Sequence, residues 1–465
     1  MTAELFRGIY FCALIAISAC NGSESNKQPI DAPLVTFTNN RIPDTAGAVS
    51  WNAIPGNIYY PANSNGEFYI YITAKGNKVK SMERAPLNIS LVLDRSGSME
   101  GDKLAYAKQA SAFVVKQLSA DDILSLVCYD GEVDLLSPAA RVSNKELLQH
   151  KIEKIVTRGS TNLSGGMMEG YRQITTHKRD GYVNRVLLLT DGLANEGITD
   201  PLRLKSLVEQ KYLQEGIALS TFGLGADYNE DLLTSLAETG RANYYFIENP
   251  DQVPEIFAAE LKGLLSVVAL NLVVKIDFPK GLECVNVYGY PYEVKENSVT
   301  VNLNDLFSDD EKGMIIKFKS TKAMSGKISF QNSLSYTDAT SLESHTYIYP
   351  IELTEISNRT LVDQSRDKIV DEMIALFETN HVFDQVLADV DAGNYERASN
   401  KADEAIRYLK EKQILIPSTK LKKQEEIISG YHSRISKVKD MEVQEKKVFQ
   451  KSGKSENYKI KKGRE

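Results

Sequence analysis

An almost uninterrupted apolar run, Ile89 to Leu93, ends on Asp94-Arg95-Ser96-Gly97-Ser98, and this junction restricts the fold more than any other stretch of the chain. A run of that kind reads as a buried strand, so an acidic residue and two hydroxyls fall where the strand gives way to a loop. Gly97 lets the loop turn sharply between the serines, because glycine carries no side-chain penalty at unusual backbone angles. One carboxylate and two neutral oxygens on a single turn suit Mg²⁺ or Mn²⁺, which take oxygen ligands in near-octahedral array and keep some of their water. The same five residues also fit an ordinary Ser/Gly-rich turn.

Two distant segments favour the cation. Arg158-Gly159-Ser160-Thr161-Asn162 carries a hydroxyl into a glycine-containing loop ahead of an expected helix, and Val186-Leu187-Leu188-Leu189-Thr190-Asp191-Gly192 ends a second apolar strand on an aspartate. Asp94-x-Ser96-x-Ser98, then Thr161, then Asp191 resemble the metal-ion-dependent adhesion site of the von Willebrand factor A domain, position for position. That resemblance implies that Ser96, Ser98 and Thr161 reach a metal through their hydroxyls, and that Asp94 and Asp191 bind it directly or through water. Mg²⁺ is the implied ion, with Mn²⁺ or Ca²⁺ as substitutes. Such a site leaves one coordination position for an outside acidic group, so a protein partner offering an Asp or Glu is expected. Arg95, Met99, Glu100, Asn195 and Glu196 flank the ligand loops and are the candidate partner-contacting residues. Some relatives switch affinity by shifting the last helix of the A domain, which here corresponds to residues 252–265.

From about Pro86 to Ser266 apolar strands alternate with amphipathic helices. Leu104, Ala107, Ser111, Val114 and Leu118 share one helical face, and strands are expected at Ile123 to Tyr129, Val186 to Thr190, Ile217 to Leu224 and Asn243 to Ile247. Alternation of this kind predicts an α/β fold with a doubly wound, mostly parallel sheet covered on both faces. Ligands of such sheets sit outside the carboxyl ends of the strands, and Asp94 and Asp191 both fall at such ends.

Strand-like material flanks this unit. Phe68, Ile70 and Ile72 alternate with Tyr69, Tyr71 and Thr73, the period of a half-buried strand. Beyond Val267 the helical period gives way to short strands with polar turns, which predicts a β-sandwich. The region Asn304 to Glu311 resembles the one that follows the A domain in many bacterial secreted proteins and in inter-alpha-trypsin inhibitor heavy chains. By that resemblance residues 51–85 pair with 267–355, placing the A domain (86–266) within a sandwich. Asp309-Asp310-Glu311 reads as a solvated turn. Residues 358–439 are helical again, and Val386 to Lys410 around Asp391-Ala392-Gly393-Asn394-Tyr395 resembles one helix-turn-helix pair of the tetratricopeptide type. A single pair cannot bury its own face, so it should pack on the sandwich. Residues 440–465 are lysine-rich and read as a disordered tail.

The N-terminus carries Arg7, an apolar run from Ile9 to Ile17, and then Ser18-Ala19-Cys20. The run is too short to span a bilayer and reads as an export signal over residues 1–19. Its end resembles a bacterial lipobox, which implies lipidation of Cys20 and anchoring in a cell membrane. Asn21 in place of an aspartate favours the outer membrane by the same resemblance. Residues 20–50 are polar and read as a tether of roughly 30 Å. Without Cys12 and Cys20 only Cys128 and Cys284 remain, and free thiols are expected.

With 465 residues, 42% of them hydrophobic, the chain can build several cores. A net charge of -7 excludes a broad electrostatic grip on nucleic acid. Five histidines form no His-Glu-x-x-His, and neither a Gly-x-Ser-x-Gly elbow nor a complete phosphate-binding loop is present. These observations point away from an enzyme with a small-molecule substrate. The two resemblances imply a metal-dependent protein-binding lipoprotein, with a permanently docked envelope scaffold as the alternative and a metal-assisted hydrolase as a third, weaker reading.

Overall fold

The computed structural model of the chain describes residues 47–62, 65–78 and 84–461. The expected leader, Cys20 and nearly all of the tether lie outside the described residues. The central sheet has six strands, ordered Val133–Arg141, Ile123–Tyr129, Leu87–Asp94, Val183–Thr190, Ala218–Leu224 and Tyr244–Ile247. All neighbours run parallel except the first pair. Every residue of Leu87–Asp94, Ile123–Tyr129 and Ala218–Leu224 is buried, as a sheet covered on both faces requires. Helices Asp102–Gln117 and Val253–Leu264 close one face. Leu163–Thr176, Pro201–Glu215 and Glu230–Thr239 close the other.

The antiparallel edge strand Val133–Arg141 was not expected from the sequence. It is half-exposed, has register shifts and contains Pro138; proline is tolerated at a sheet edge, where a backbone N–H can go unpaired. Helix Leu163–Thr176 approaches the sheet closely because two glycines face it. A Cβ at Gly166 would stand 2.4 Å from the Tyr129 ring, and one at Gly170 2.6 Å from Val92 Cγ2.

Strands from both sides of this domain build the sandwich. One sheet is ordered Val49–Pro55, Glu67–Gly76, Glu311–Ser320, Leu282–Tyr288; the other is Tyr292–Lys295, Ser298–Phe307, Val267–Asp277, Lys327–Asp338, Ser344–Ile356, Tyr59–Pro61. The pairing of Glu67–Gly76 with Glu311–Ser320, and of Tyr59–Pro61 with Ser344–Ile356, joins residues that precede the α/β domain to residues that follow it. Ile72, Met314 and Phe318 of one sheet meet Val274, Phe330 and Leu334 of the other in a single core. Tyr71 and Thr73, expected on a solvated face, are buried as well, because Val370, Ile374 and Phe377 pack over Tyr71, Tyr288 and Ile315 on the sheet's outer side. Asp309 has φ 63° and pairs with Lys75 and Lys78 at 3.3 and 3.4 Å, a charged turn between two strands.

Below the sheet Arg185, fully buried, donates to Asp305 of the sandwich at 3.1 Å. Glu260 is buried beside it and accepts from Ser220, Asn243 and Tyr245 at 2.5, 2.7 and 2.7 Å. Burial pushes the Glu260 carboxyl up, but Arg185 and these three donors outweigh it and leave the pKa lowered.

The helical region comprises Arg359–Gln364, Lys368–Asp391, Tyr395–Leu415, Thr419–Ile435 and Val443–Lys461. Gly393, at φ 76°, makes the tight turn between the second and third. The last helix corrects the expectation of a disordered tail. Three of its lysines meet the α/β domain: Lys447 pairs with Asp227 at 2.9 Å and Lys454 with Asp231 at 3.0 Å, while Lys451 donates to the Tyr228 carbonyl at 3.0 Å. Tyr458 completes the contact edge-on to Tyr244. Among the described residues no helix is long and apolar enough to cross a membrane. Cys128 and Cys284 are free thiols, pushed by burial up to about 12 and about 11. Gly170→Ala should destabilise the protein by about 1–3 kcal/mol, the usual cost of overpacking a core. Urea denaturation with an unchanged midpoint would refute the close helix–sheet contact.

Candidate metal centre

Strand register brings the two ends of the motif together. Leu93 stands opposite Leu189 in the parallel pair, so Asp94 lies beside Thr190 and Asp191 follows one residue on. The Thr190 hydroxyl donates to Asp94 Oδ2 at 2.6 Å, and the Ser96 N–H donates to Asp94 Oδ1 at 2.8 Å. Beyond the strand end the Ser96 and Ser98 hydroxyls are 3.2 Å apart, and Ser98 donates to Asp191 Oδ1 at 2.7 Å. Four of the five expected ligands thus form one hydrogen-bonded group.

The fifth arrives on the loop before helix Leu163–Thr176. Asn162 caps that helix by accepting from the Gly165 N–H at 2.9 Å, while its own N–H donates to the Asp130 carbonyl at 2.7 Å, fixing the loop to the next strand end. Gly159, at φ 69°, makes the bend, and its carbonyl accepts from the Gly97 N–H at 3.2 Å. The Thr161 hydroxyl lies over the Asp191-Gly192 turn: a Cβ at Gly192 would stand 3.4 Å from Thr161 Oγ1 and 3.7 Å from Ser98 Oγ.

Asp94 and Asp191 are both fully buried. Burial pushes the Asp94 carboxyl up to about 6, against the hydrogen bonds of Ser96 and Thr190, and nearby Asp191 adds to the rise. Among the described residues Asp94 has no cationic partner, whereas Asp191 Oδ2 accepts from Lys103 Nζ at 2.5 Å. A divalent cation would compensate the uncompensated carboxylate, and two carboxylates with three hydroxyls form the hard oxygen set that Mg²⁺ or Mn²⁺ takes. Asp94, Ser96, Ser98, Thr161 and Asp191 would hold it. Among the described residues no three His, Cys, Asp or Glu side chains gather at one point, so an ion here depends on the hydroxyls.

The flanking residues divide. Arg95 does not line the rim: it is buried and donates to Asp130 Oδ2 at 2.7 Å and Asp134 Oδ2 at 2.5 Å, sharing Asp130 with Arg158. Met99 is also buried, part of the core beneath the loop. Arg95 is drawn inward by the Asp130 and Asp134 carboxylates, and Met99 closes the turn Gly97–Met99 onto the core. Glu100, Asn195 and Glu196 are exposed. Two of these also fasten the loops together, since Asn195 Oδ1 accepts from the Thr161 N–H at 2.8 Å and Glu196 accepts from the Ser160 hydroxyl. Sequence reasoning missed Thr190 and Lys103, whose roles depend on register and helix direction. It also missed Leu193, 57% exposed two residues beyond Asp191; a leucine in a Gly/Asn/Glu loop was its visible signal.

Residues 88–259 match the von Willebrand factor type A domain family. The chain carries a von Willebrand factor A domain. The uncharacterized Escherichia coli protein YfbK is 33% identical over 201 residues, 43% of this chain and 35% of that one. Inter-alpha-trypsin inhibitor heavy chain H3 of Mesocricetus auratus is 26% identical over 281 residues, 56% of this chain and 30% of its own length. The chain therefore spans about a third of each of these relatives. A solved von Willebrand factor type A protein from Catenulispora acidiphila superposes with a TM-score of 0.65 at 14% identity, covering 79% of this chain and 88% of that one. That likeness extends well past residues 88–259 and supports the combined architecture of A domain and sandwich. A domains commonly mediate protein–protein interaction, and many bind a divalent metal.

Arg95→Met would leave Asp130 buried with only the half-exposed Arg158 as counterion. Loss of one member of a buried pair costs about 3–5 kcal/mol, so guanidinium denaturation should show a loss on that scale. A change below 1 kcal/mol, the level of an exposed pair, would refute the structural role.

Proposed function

We propose that this chain is a non-enzymatic, divalent-metal-dependent protein-binding protein, in which the ion held by Asp94, Ser96, Ser98, Thr161 and Asp191 accepts an Asp or Glu from a partner. The observation that carries the reading is the convergence of five oxygen-bearing side chains on one rim of the A domain. Ser98 is exposed there while both carboxylates are buried. The buried anions supply affinity for the ion, and the open side admits a ligand. Leu193 and Glu100, both exposed, follow the Asp191 and Ser98 turns by two residues each, and Asn195 and Glu196 bond the Thr161 loop, so an acidic residue next to an apolar one would suit the site.

A docked scaffold with a purely structural metal is the second reading. The loops are tied to one another by Gly97 with Gly159, Arg158 with Arg95 and Thr161 with Asn195, all through protein hydrogen bonds. A fold so fastened does not depend on an ion to hold its loops, which favours recognition over scaffolding. Anchoring to a bacterial cell membrane through lipid on Cys20 completes the proposal; its support is the apolar run and the Ser18-Ala19-Cys20 ending.

Thr161→Ala should keep the wild-type unfolding midpoint. It should weaken Mn²⁺ binding by calorimetry at least as much as the roughly tenfold caused by loss of an outer-shell partner. Capture of a partner from envelope extract on the immobilised chain should require Mg²⁺ and be lost with Thr161→Ala; equal capture in chelator overturns the recognition reading. A sharp fall in thermal stability on chelation would favour the structural-metal alternative. Leu193→Ala should reduce capture roughly fivefold or more, as loss of an apolar anchor does, with Mn²⁺ affinity unchanged.

A further inference from the structure

The two buried carboxylates of the site are treated differently. Among the described residues Asp94 is bonded by uncharged groups, the Thr190 and Tyr129 hydroxyls and groups of Ser96. Asp191 divides its two oxygens: Oδ1 accepts from Ser98 and faces the hydroxyl group, while Oδ2 accepts from the Lys103 ammonium at 2.5 Å. Lys103 comes from the first turn of helix Asp102–Gln117, and its side chain is only 28% exposed. Its end lies along the bare backbone of Gly225, where a Cβ would be 3.9 Å from Cε and 4.0 Å from Nζ. The nearby guanidinium groups are engaged elsewhere, since Arg95 and Arg158 both donate to Asp130 and Asp134. Among the described residues, Lys103 is thus the cation paired with a ligand carboxylate.

We infer that Lys103 is a built-in counter-cation of the metal site, neutralising Asp191 so that the site remains folded without an ion and lowering the affinity with which it takes one. The inference rests on the metal reading above and concerns the regulation of that site. With both carboxylates ionised the ligand set carries two negative charges, and the ammonium offsets one. A buried carboxylate without a countercharge is strongly unfavourable, so the lysine supports the ion-free state. The same charge, a few ångströms from where a dication would sit, repels it. Lys103 also holds Asp191 by its outer oxygen and leaves Oδ1 directed at Ser98, so it is a positioning residue as well. The site then fills and empties with the surrounding concentration of divalent ion instead of retaining one permanently, and partner capture follows ion supply.

Lys103→Met removes the charge and keeps most of the apolar stem; Lys103→Arg keeps the charge. The full chain and both variants are titrated with Mn²⁺, followed by electron paramagnetic resonance of the free ion, and melted in chelator. Lys103→Met should bind Mn²⁺ at least about tenfold more tightly, the scale of one unit charge across a partly screened site. It should also melt at lower temperature than wild type in chelator, and the two curves should converge when Mn²⁺ is added. Lys103→Arg should restore the wild-type values of both measurements. Unchanged or weaker Mn²⁺ binding by Lys103→Met, with wild type binding normally, overturns the role of the lysine and leaves the proposed function intact. Wild type that binds no Mn²⁺ overturns the metal reading itself. An unchanged melting temperature in chelator overturns the counter-cation claim whatever the titrations give.

Discussion

The structure turns on a carboxylate placed at the end of a strand that has no solvent on either side. Leu87–Asp94 is buried throughout, and an ionised group at its terminus is tolerable only if it is hydrogen-bonded or ion-paired. The neighbouring strand and the chain's own next turn answer that requirement. Asp94 receives the Thr190 hydroxyl from the neighbouring strand, the Ser96 backbone turns back onto it, and Ser98 continues the group to Asp191. Parallel pairing makes this possible, because it brings several strand carboxyl ends to one edge and lets each contribute a short polar segment.

The frame beneath the site is stiff for separable reasons. Glycines on helix Leu163–Thr176 let it sit tightly on the sheet and so fix the loop bearing Thr161. Arg95 and Asp130 fasten the same loop from below through a buried ion pair shared with Arg158. At the opposite end of the sheet, Arg185 pairs with Asp305 of the sandwich, and its charge also favours the buried carboxylate of Glu260 on the last A-domain helix. Movement of that helix would have to rearrange this buried charge cluster. The C-terminal helix adds a second link between the A domain and the helical region, through Lys447, Lys454 and Tyr458.

Much of this was legible in the chain. Alternating apolar runs and helical faces marked the strands of the A domain, and the return of two-residue periodicity after Val267 marked the sandwich. The five oxygen-bearing residues stood out because each follows or precedes a strong apolar element. Other features were not legible. Arg95 and Met99 flank the ligand loop in sequence, but an ion pair draws the first inward and the core takes the second, and linear proximity carries no such direction. The lysines of the last helix look like a solvated tail until Asp227 and the helix start at Asp231, more than 200 residues earlier, are brought against them. The edge strand Val133–Arg141 lacks the apolar signal of its neighbours because, at the rim of the sheet, all its residues except Ala139 keep some exposure to solvent.

Sequence alone determined the class of each layer and the chemistry of the rim, since burial periodicity and oxygen-bearing side chains are local properties. Tertiary structure decided which groups meet: Thr190 with Asp94 through strand register, Lys103 with Asp191 through the direction in which a helix leaves its loop, and Leu193 as an exposed apolar residue beside them. Those pairings follow from distances between segments far apart along the chain. A register shift of one residue would undo the first of them without altering any local pattern.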